Sequence, residues 1–195
     1  MTSTLPQQRS LADLPIGTLA HVSSYLTLPS RALFAVALNC RDVERCSAIV
    51  GDHQGDVLDF GDIEKELAVK LIDEDVNGVL LSIDAVNNLK TLRLTNLLNI
   101  SGIGLEPLRG STIIEKIDLS LVGDHEIPKL YPEPPISCTD ILPILDSIID
   151  MGEASSFKLL IFPKKWREER NNTESDFLLF SPDTMNYCVV EQTDA

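Results

Sequence analysis

Residues 89–119 read LKTLRLTNLLNISGIGLEPLRGSTIIEKIDL, and the spacing of their apolar side chains decides the fold. Leu89, Leu92, Leu94, Leu97, Ile100, Leu105 and Leu108 keep neither a helical period of about 3.6 nor a strand period of about 2. They change from one to the other. Leu92-x-Leu94 alternates as a short strand, Gly102 and Gly104 break it, and Gly104-Leu-Glu-Pro-Leu108 makes a short helical or turn-like return. The opening pattern then recurs. Ile114-x-x-Ile117-x-Leu119-x-x-Val122 repeats Leu89-x-x-Leu92-x-Leu94-x-x-Leu97 at a shift of 25 residues (114 minus 89). A period of that size marks a solenoid whose units bury their apolar face only by stacking.

Two weaker copies lie outside this pair, Leu58-x-Phe60 before it and Leu160-x-Phe162 after it. The intervals Leu58 to Leu92 (34), Leu92 to Ile117 (25) and Ile117 to Leu160 (43) are unequal, so the array is degenerate and carries insertions. These residues resemble leucine-rich repeats of the cysteine-containing type, with Leu97 and Val122 where that family often has Cys. The resemblance implies an α/β fold, a curved parallel sheet with helices on the outer side. Solenoids bind on the concave face, which strand residues between the buried leucines line. Here these are Asp59, Thr91, Arg93, Lys116, Asp118, Leu159 and Ile161, the expected substrate-binding residues. The alternative carrier of recognition is loop 123–137, part of the proline-rich insertion GDHEIPKLYPEPPISCTD (123–140).

Upstream, residues 10–40 read SLADLPIGTLAHVSSYLTLPSRALFAVALNC. Pro15 suits the first turn of a helix with Asp13 as a cap, and Leu19, Val22 and Leu26 follow at helical spacing. Leu28-Pro-Ser30 interrupts it, and Ser30 caps a second helix bearing Leu33, Phe34, Val36, Ala37 and Leu38. A unit this small with so much apolar surface packs on something else. The segment resembles the F-box, which opens with Leu-Pro, here Leu14-Pro15. Leu19, Val22, Tyr25 and Leu26 follow at matching steps, and Arg31 stands near the start of the next helix. That family often has a Trp after its second helix, and CRDVERCSAIV (40–50) has none; the residues give two or three short helices, and the resemblance carries the first two and leaves the third open. It implies that Leu14, Pro15, Leu19, Val22, Tyr25, Leu26 and Arg31 contact the Skp-family linker subunit of a cullin-type ubiquitin ligase. The bland reading is a helical cap on the first repeat.

Composition bounds the partners. A net charge of −14 argues against nucleic acid or an anionic membrane as partner. No apolar run reaches the ~18 residues of a membrane span, and the N-terminus lacks a signal-peptide pattern. The cytoplasm or nucleus is expected, with Cys40, Cys46, Cys138 and Cys188 as reduced thiols. Phosphate-loop, nucleophile-elbow and paired Cys-x-x-Cys patterns do not occur. No enzyme, cofactor or metal is expected.

One rival motif stands out. Asp73-x-Asp75-x-Asn77-Gly78 followed by Asp84 has the spacing of a calcium-binding loop, with Gly at the sharp turn. Against it, the last ligand is Asp rather than a bidentate Glu, and no second loop exists. The preferred reading makes Asp73 the cap of a helix through Val76, Val79, Leu80 and Ile83. Further on, Thr139-Asp140 caps a helix along Ile141, Leu142, Leu145, Ile148 and Ile149, stopped by Gly152. Lys164, Lys165, Arg167 and Arg170 surround Trp166, which either covers the open end of the core or forms a contact patch.

The expected organisation is a flexible 1–9, an F-box-like helical module over 10–50, degenerate repeats over 51–170, and a C-terminal cap or tail over 171–195. The expected function is a substrate adaptor of a Skp-cullin-F-box ubiquitin ligase, acting by proximity on an unknown target protein. The alternative is a repeat scaffold with no ligase link.

Overall fold

The structure, a computed structural model, describes residues 10–40, 43–51, 56–120 and 135–161. Strands β1 (Val57–Asp59), β2 (Thr91–Arg93), β3 (Lys116–Asp118) and β4 (Leu159–Ile161) form a four-stranded parallel sheet in chain order. Their register aligns Leu58, Leu92, Ile117 and Leu160 in one row across the sheet, and all of these are buried. Phe60, Leu94 and Leu119 are buried two positions on, so the alternation read in the sequence is the pleat of the strands. Phe162, their fourth counterpart, lies outside the described residues.

The unequal intervals between copies are absorbed between strands, while the joints stay constant. The Asp56 carbonyl accepts from the Lys90 and Thr91 N–H groups at 3.0 and 2.7 Å. The Lys90 carbonyl accepts from Glu115 and Lys116 at 2.7 and 3.0 Å, and the Glu115 carbonyl from Lys158 and Leu159 at 2.8 and 3.0 Å. The same two-donor joint thus recurs at each step from strand to strand.

Three helices precede the sheet: α1 (Ile16–Ser23), α2 (Leu28–Ala37) and α3 (Val43–Val50). The connection from β1 to β2 holds α4 (Lys65–Ala68), α5 (Asp73–Ser82) and α6 (Ala85–Asn88). A 3-10 helix over Ile103–Leu108 lies between β2 and β3, and α7 (Cys138–Ile149) precedes β4. α5 packs against the 103–108 turn, which packs in turn against α7, so the connections form a second layer. α2 packs on α5 and reaches β1. One continuous core results, running from Leu19, Ala32 and Ala35 to Phe157 and Leu160.

Several expectations are corrected. The expected break between two helices is present but falls at residues 24–27, and Leu28-Pro-Ser30 starts α2: Pro29 sits in its first turn, where its missing N–H leaves no bond unmade. Thr27, not Ser30, stands at the cap position, and its hydroxyl donates to the Asp62 carbonyl across the fold at 3.3 Å. The Leu11–Asp13 segment is a 3-10 turn of its own, with the Asp13 carboxylate accepting from the Ser10 N–H at 3.0 Å, so Asp13 does not cap α1. The third helix, which the sequence left open, does form as α3. α7 is preceded by Ser137 at its cap position, and Thr139 and Asp140 lie in its first turn. Most of loop 123–137, the segment around Trp166, and residues 171–195 lie outside the described residues.

Candidate interaction surfaces

Asp73 opens α5, but its carboxylate does not cap that helix. Its Oδ2 accepts from the Ser101 N–H at 2.8 Å, and its Oδ1 from the Gly102 and Gly104 N–H groups at 3.1 and 2.9 Å. Burial pushes this carboxyl up, but the N–H groups of Ser101, Gly104 and Gly102 and the Ser101 hydroxyl hold it below its ordinary value on balance. The glycines are there for close approach. A Cβ on Gly104 would stand 2.6 Å from the Asp73 carbonyl oxygen, and Gly102 has φ +108° with Ile141 where its Cβ would be. Gly78, the turn residue of the calcium reading, lies inside α5, and a Cβ there would come within 3.0 Å of Val36 on α2. The acidic motif is therefore a helix, with its first carboxylate given over to joining one connection to the next. Among the described residues, no group of three or more His, Cys, Asp or Glu side chains could hold a metal ion.

The F-box-nominated residues divide between surface and interior. Leu14, Pro15, Val22 and Tyr25 are exposed, Tyr25 at 77%. The Tyr25 ring meets the His21 ring edge-on at 5.3 Å between centroids. Leu19 is fully buried and anchors α1 to the core. Leu26 is half-buried, and Arg31 is used inside the fold: its Nε donates to the Leu26 carbonyl at 2.9 Å and an Nη to the Val50 carbonyl at 3.3 Å. The exposed apolar surface also includes Leu11 and Ile16, which the motif reading left out. Arg45 on α3 went unnoticed as well. Its guanidinium donates to the Ala12 and Leu14 carbonyls and so holds the Leu11–Asp13 turn against α3. Leu11 and Ile16 were legible as apolar, Ile16 at i, i+3 from Leu19; no sequence signal links Arg45 to Ala12.

The sheet gathers the second set. Its register places Val57, Thr91, Lys116 and Leu159 in one row and Asp59, Arg93, Asp118 and Ile161 in another. Val57 is exposed and completes the first row, a position that the alternation with Leu58 implied. Ile161 is buried, so it does not offer the exposed aliphatic surface expected of it. Asp59 is occupied internally: it pairs with Arg93 at 3.3 Å and accepts from the Thr95 hydroxyl at 3.0 Å and the Gly61 N–H at 2.8 Å. Just before the strands, Lys90 pairs with Asp56 at 3.0 Å and Lys158 with Glu115 at 2.8 Å. Among the described residues, Lys116 has no ion-pair partner, and the Asp118 carboxylate accepts only from the Ser120 N–H, at 3.0 Å. The charge left for a partner is therefore concentrated on β3.

No helix among the described residues is long and apolar enough to cross a membrane. No family model, curated protein or solved structure matches the chain.

Proposed function

We propose that the chain is an adaptor of a Skp-cullin-F-box ubiquitin ligase, with an F-box-like N-terminal unit and a short leucine-rich-repeat solenoid. The observation that carries this reading is the pairing of two surfaces on one core. Leu11, Leu14, Ile16, Val22 and Tyr25 are exposed at the N-terminal helices, while a parallel sheet with a repeated joint presents Thr91, Lys116, Asp118 and Leu159. Large apolar side chains left in water at one end suit a permanent subunit contact, where aromatic and aliphatic anchors dominate. The solenoid reading is supported by the in-order parallel strands and the apolar row Leu58, Leu92, Ile117, Leu160. Such an adaptor does no chemistry; it raises the effective concentration of a target at the ligase.

The test is co-expression with a Skp-family subunit followed by size-exclusion chromatography, comparing wild type with Val22→Asp, Tyr25→Asp. Both positions are exposed, so the double variant keeps the core intact. Co-elution of wild type and its loss in the variant is the expected result. A wild type that elutes alone and folded refutes the ligase link. Full burial of Leu19 and internal use of Arg31 favour a second reading in that case, in which α1–α3 cap the sheet of a scaffold.

A further inference from the structure

An open groove of about 500 Å³ lies between α2 and the segment that carries α4 into α5. Leu33 and Phe34 of α2 form one wall, and Ile63, Leu67 and Leu71 form the other. A volume of this size is within the range of binding clefts, about 300–1,000 Å³. Leu67 is 47% exposed and Leu33 and Phe34 are half-buried, so these three face the open groove, while Ile63 and Leu71 are buried behind them.

The rim gives the occupant its charge. Glu64 and Asp75 are the charged side chains lining the groove. The surrounding 62–75 stretch holds acidic Asp62, Glu64, Glu66, Asp73, Glu74 and Asp75 against Lys65 and Lys70, a formal charge of −4 (six acids less two lysines). The four ion pairs among the described residues all lie elsewhere, so neither Glu64 nor Asp75 has a basic partner there. Apolar walls between unneutralised carboxylates are complementary to a segment with apolar anchors flanked by cations. A cleft between helical walls takes such a segment best as a helix, with anchors at i, i+3 or i+4, and i+7.

We propose that this groove is a docking site for a basic amphipathic helix of a partner protein. Leu26, named by the F-box resemblance, also lines the groove, but Val22, Tyr25 and the sheet face do not, so Val22→Asp, Tyr25→Asp and the Leu67 and Glu64 variants test the two readings apart. The charges act at encounter and at the rim, and the buried apolar anchors supply most of the affinity.

The probe is a phage-displayed library of randomised 16-residue peptides, panned on the full chain. Selected peptides are then titrated against wild type, Leu67→Asp and Glu64→Lys. Both substitutions fall on exposed residues, and melting curves identify any variant that fails to fold. The expected result is enrichment of Leu, Ile or Phe at helical spacing beside Lys or Arg. Binding should weaken at least tenfold in each variant, and more at low ionic strength for Glu64→Lys. Absence of enrichment, a selected set without basic residues, or undiminished binding to Leu67→Asp overturns the proposal. So does a photo-crosslinker at position 67 that captures residues 163–170 of the same chain, which would make the occupant internal.

Discussion

Replacing Asp73 by Ala removes three N–H acceptors at once, and the geometry sets the scale of the loss. A hydrogen bond to a charged group contributes about 1.5–3 kcal/mol when shielded from water. Asp73 is only partly buried, so screening keeps each bond at or below the low end of that range. Gly102 and Gly104 are buried, however, and their N–H groups lose their acceptor in the variant. The sum is about 3 kcal/mol, against a total stability of about 5–15 kcal/mol for an ordinary domain. For a chain of this length that lowers the melting temperature by about 6–12 °C. Asp73→Asn keeps an oxygen for Gly102 and Gly104 but turns an amide toward the Ser101 N–H, and should lose about half as much. The pH dependence is a second check. Because the folded carboxyl titrates below its ordinary value, its contribution is complete above the unfolded pKa of about 3.9. It disappears as pH falls further, through the folded value. Thermal melts of wild type and Asp73→Ala should therefore differ by a constant amount from about pH 7 to 5 and converge below about pH 4. A variant that melts within about 2 °C of wild type at neutral pH, or a gap that already closes between pH 7 and 5, would refute the account.

Other perturbations separate structure from recognition. Gly104→Ala and Gly102→Ala should each destabilise the chain by about 1–3 kcal/mol by denaturant titration, because a Cβ meets Asp73 or Ile141 and Gly102 has positive φ. Leu19→Ala should cost about 2–5 kcal/mol as a buried-cavity change. Tyr25→Ala, on a side chain 77% exposed, should shift stability by no more than about 0.5 kcal/mol while weakening the linker subunit in pull-down; equal melting losses in the two would contradict the division. Lys116→Glu should reduce target binding more than Arg93→Glu, measured with a captured target by surface plasmon resonance, since Arg93 already pairs with Asp59. The reverse order would put recognition on β2.

What the sequence disclosed depended on whether a signal was local. The strands were legible because Leu92-x-Leu94 and Ile117-x-Leu119 carry their own period, and the weaker Leu58-x-Phe60 and Leu160-x-Phe162 share it. The structure pairs these strands in parallel and in chain order. The use of Asp73 was not legible. An acidic residue before a helical pattern reads as a cap, and only the approach of residues 101–104, permitted by glycines some thirty positions away, redirects it. Gly78 gave the calcium alternative its turn residue, but the structure, like the preferred helical reading, places it inside α5, where it leaves room for Val36. The nominated sets mix surface and interior for a related reason. Periodicity finds which residues are apolar and not which way they face, so Leu19 and Tyr25 entered one set although one is core and the other surface.

The contact between α2 and α5 bears on how an adaptor of this shape would work. Val36 packs over Gly78, and the Arg31 guanidinium joins the end of the α1 region to the end of α3 through the Leu26 and Val50 carbonyls. The helical unit and the sheet therefore share one core, with α2 packed directly on α5 and against β1. Proximity acts most strongly when the two bound partners cannot wander, because the effective concentration falls as the tether lengthens. Gly78→Leu tests this directly. Forcing α2 away from α5 should leave each surface chemically intact but loosen their relative placement. Binding to the linker subunit and to target, each measured alone, should fall less than ubiquitin transfer in the reconstituted ligase. Equal losses in all three would mean that Gly78 matters only for folding.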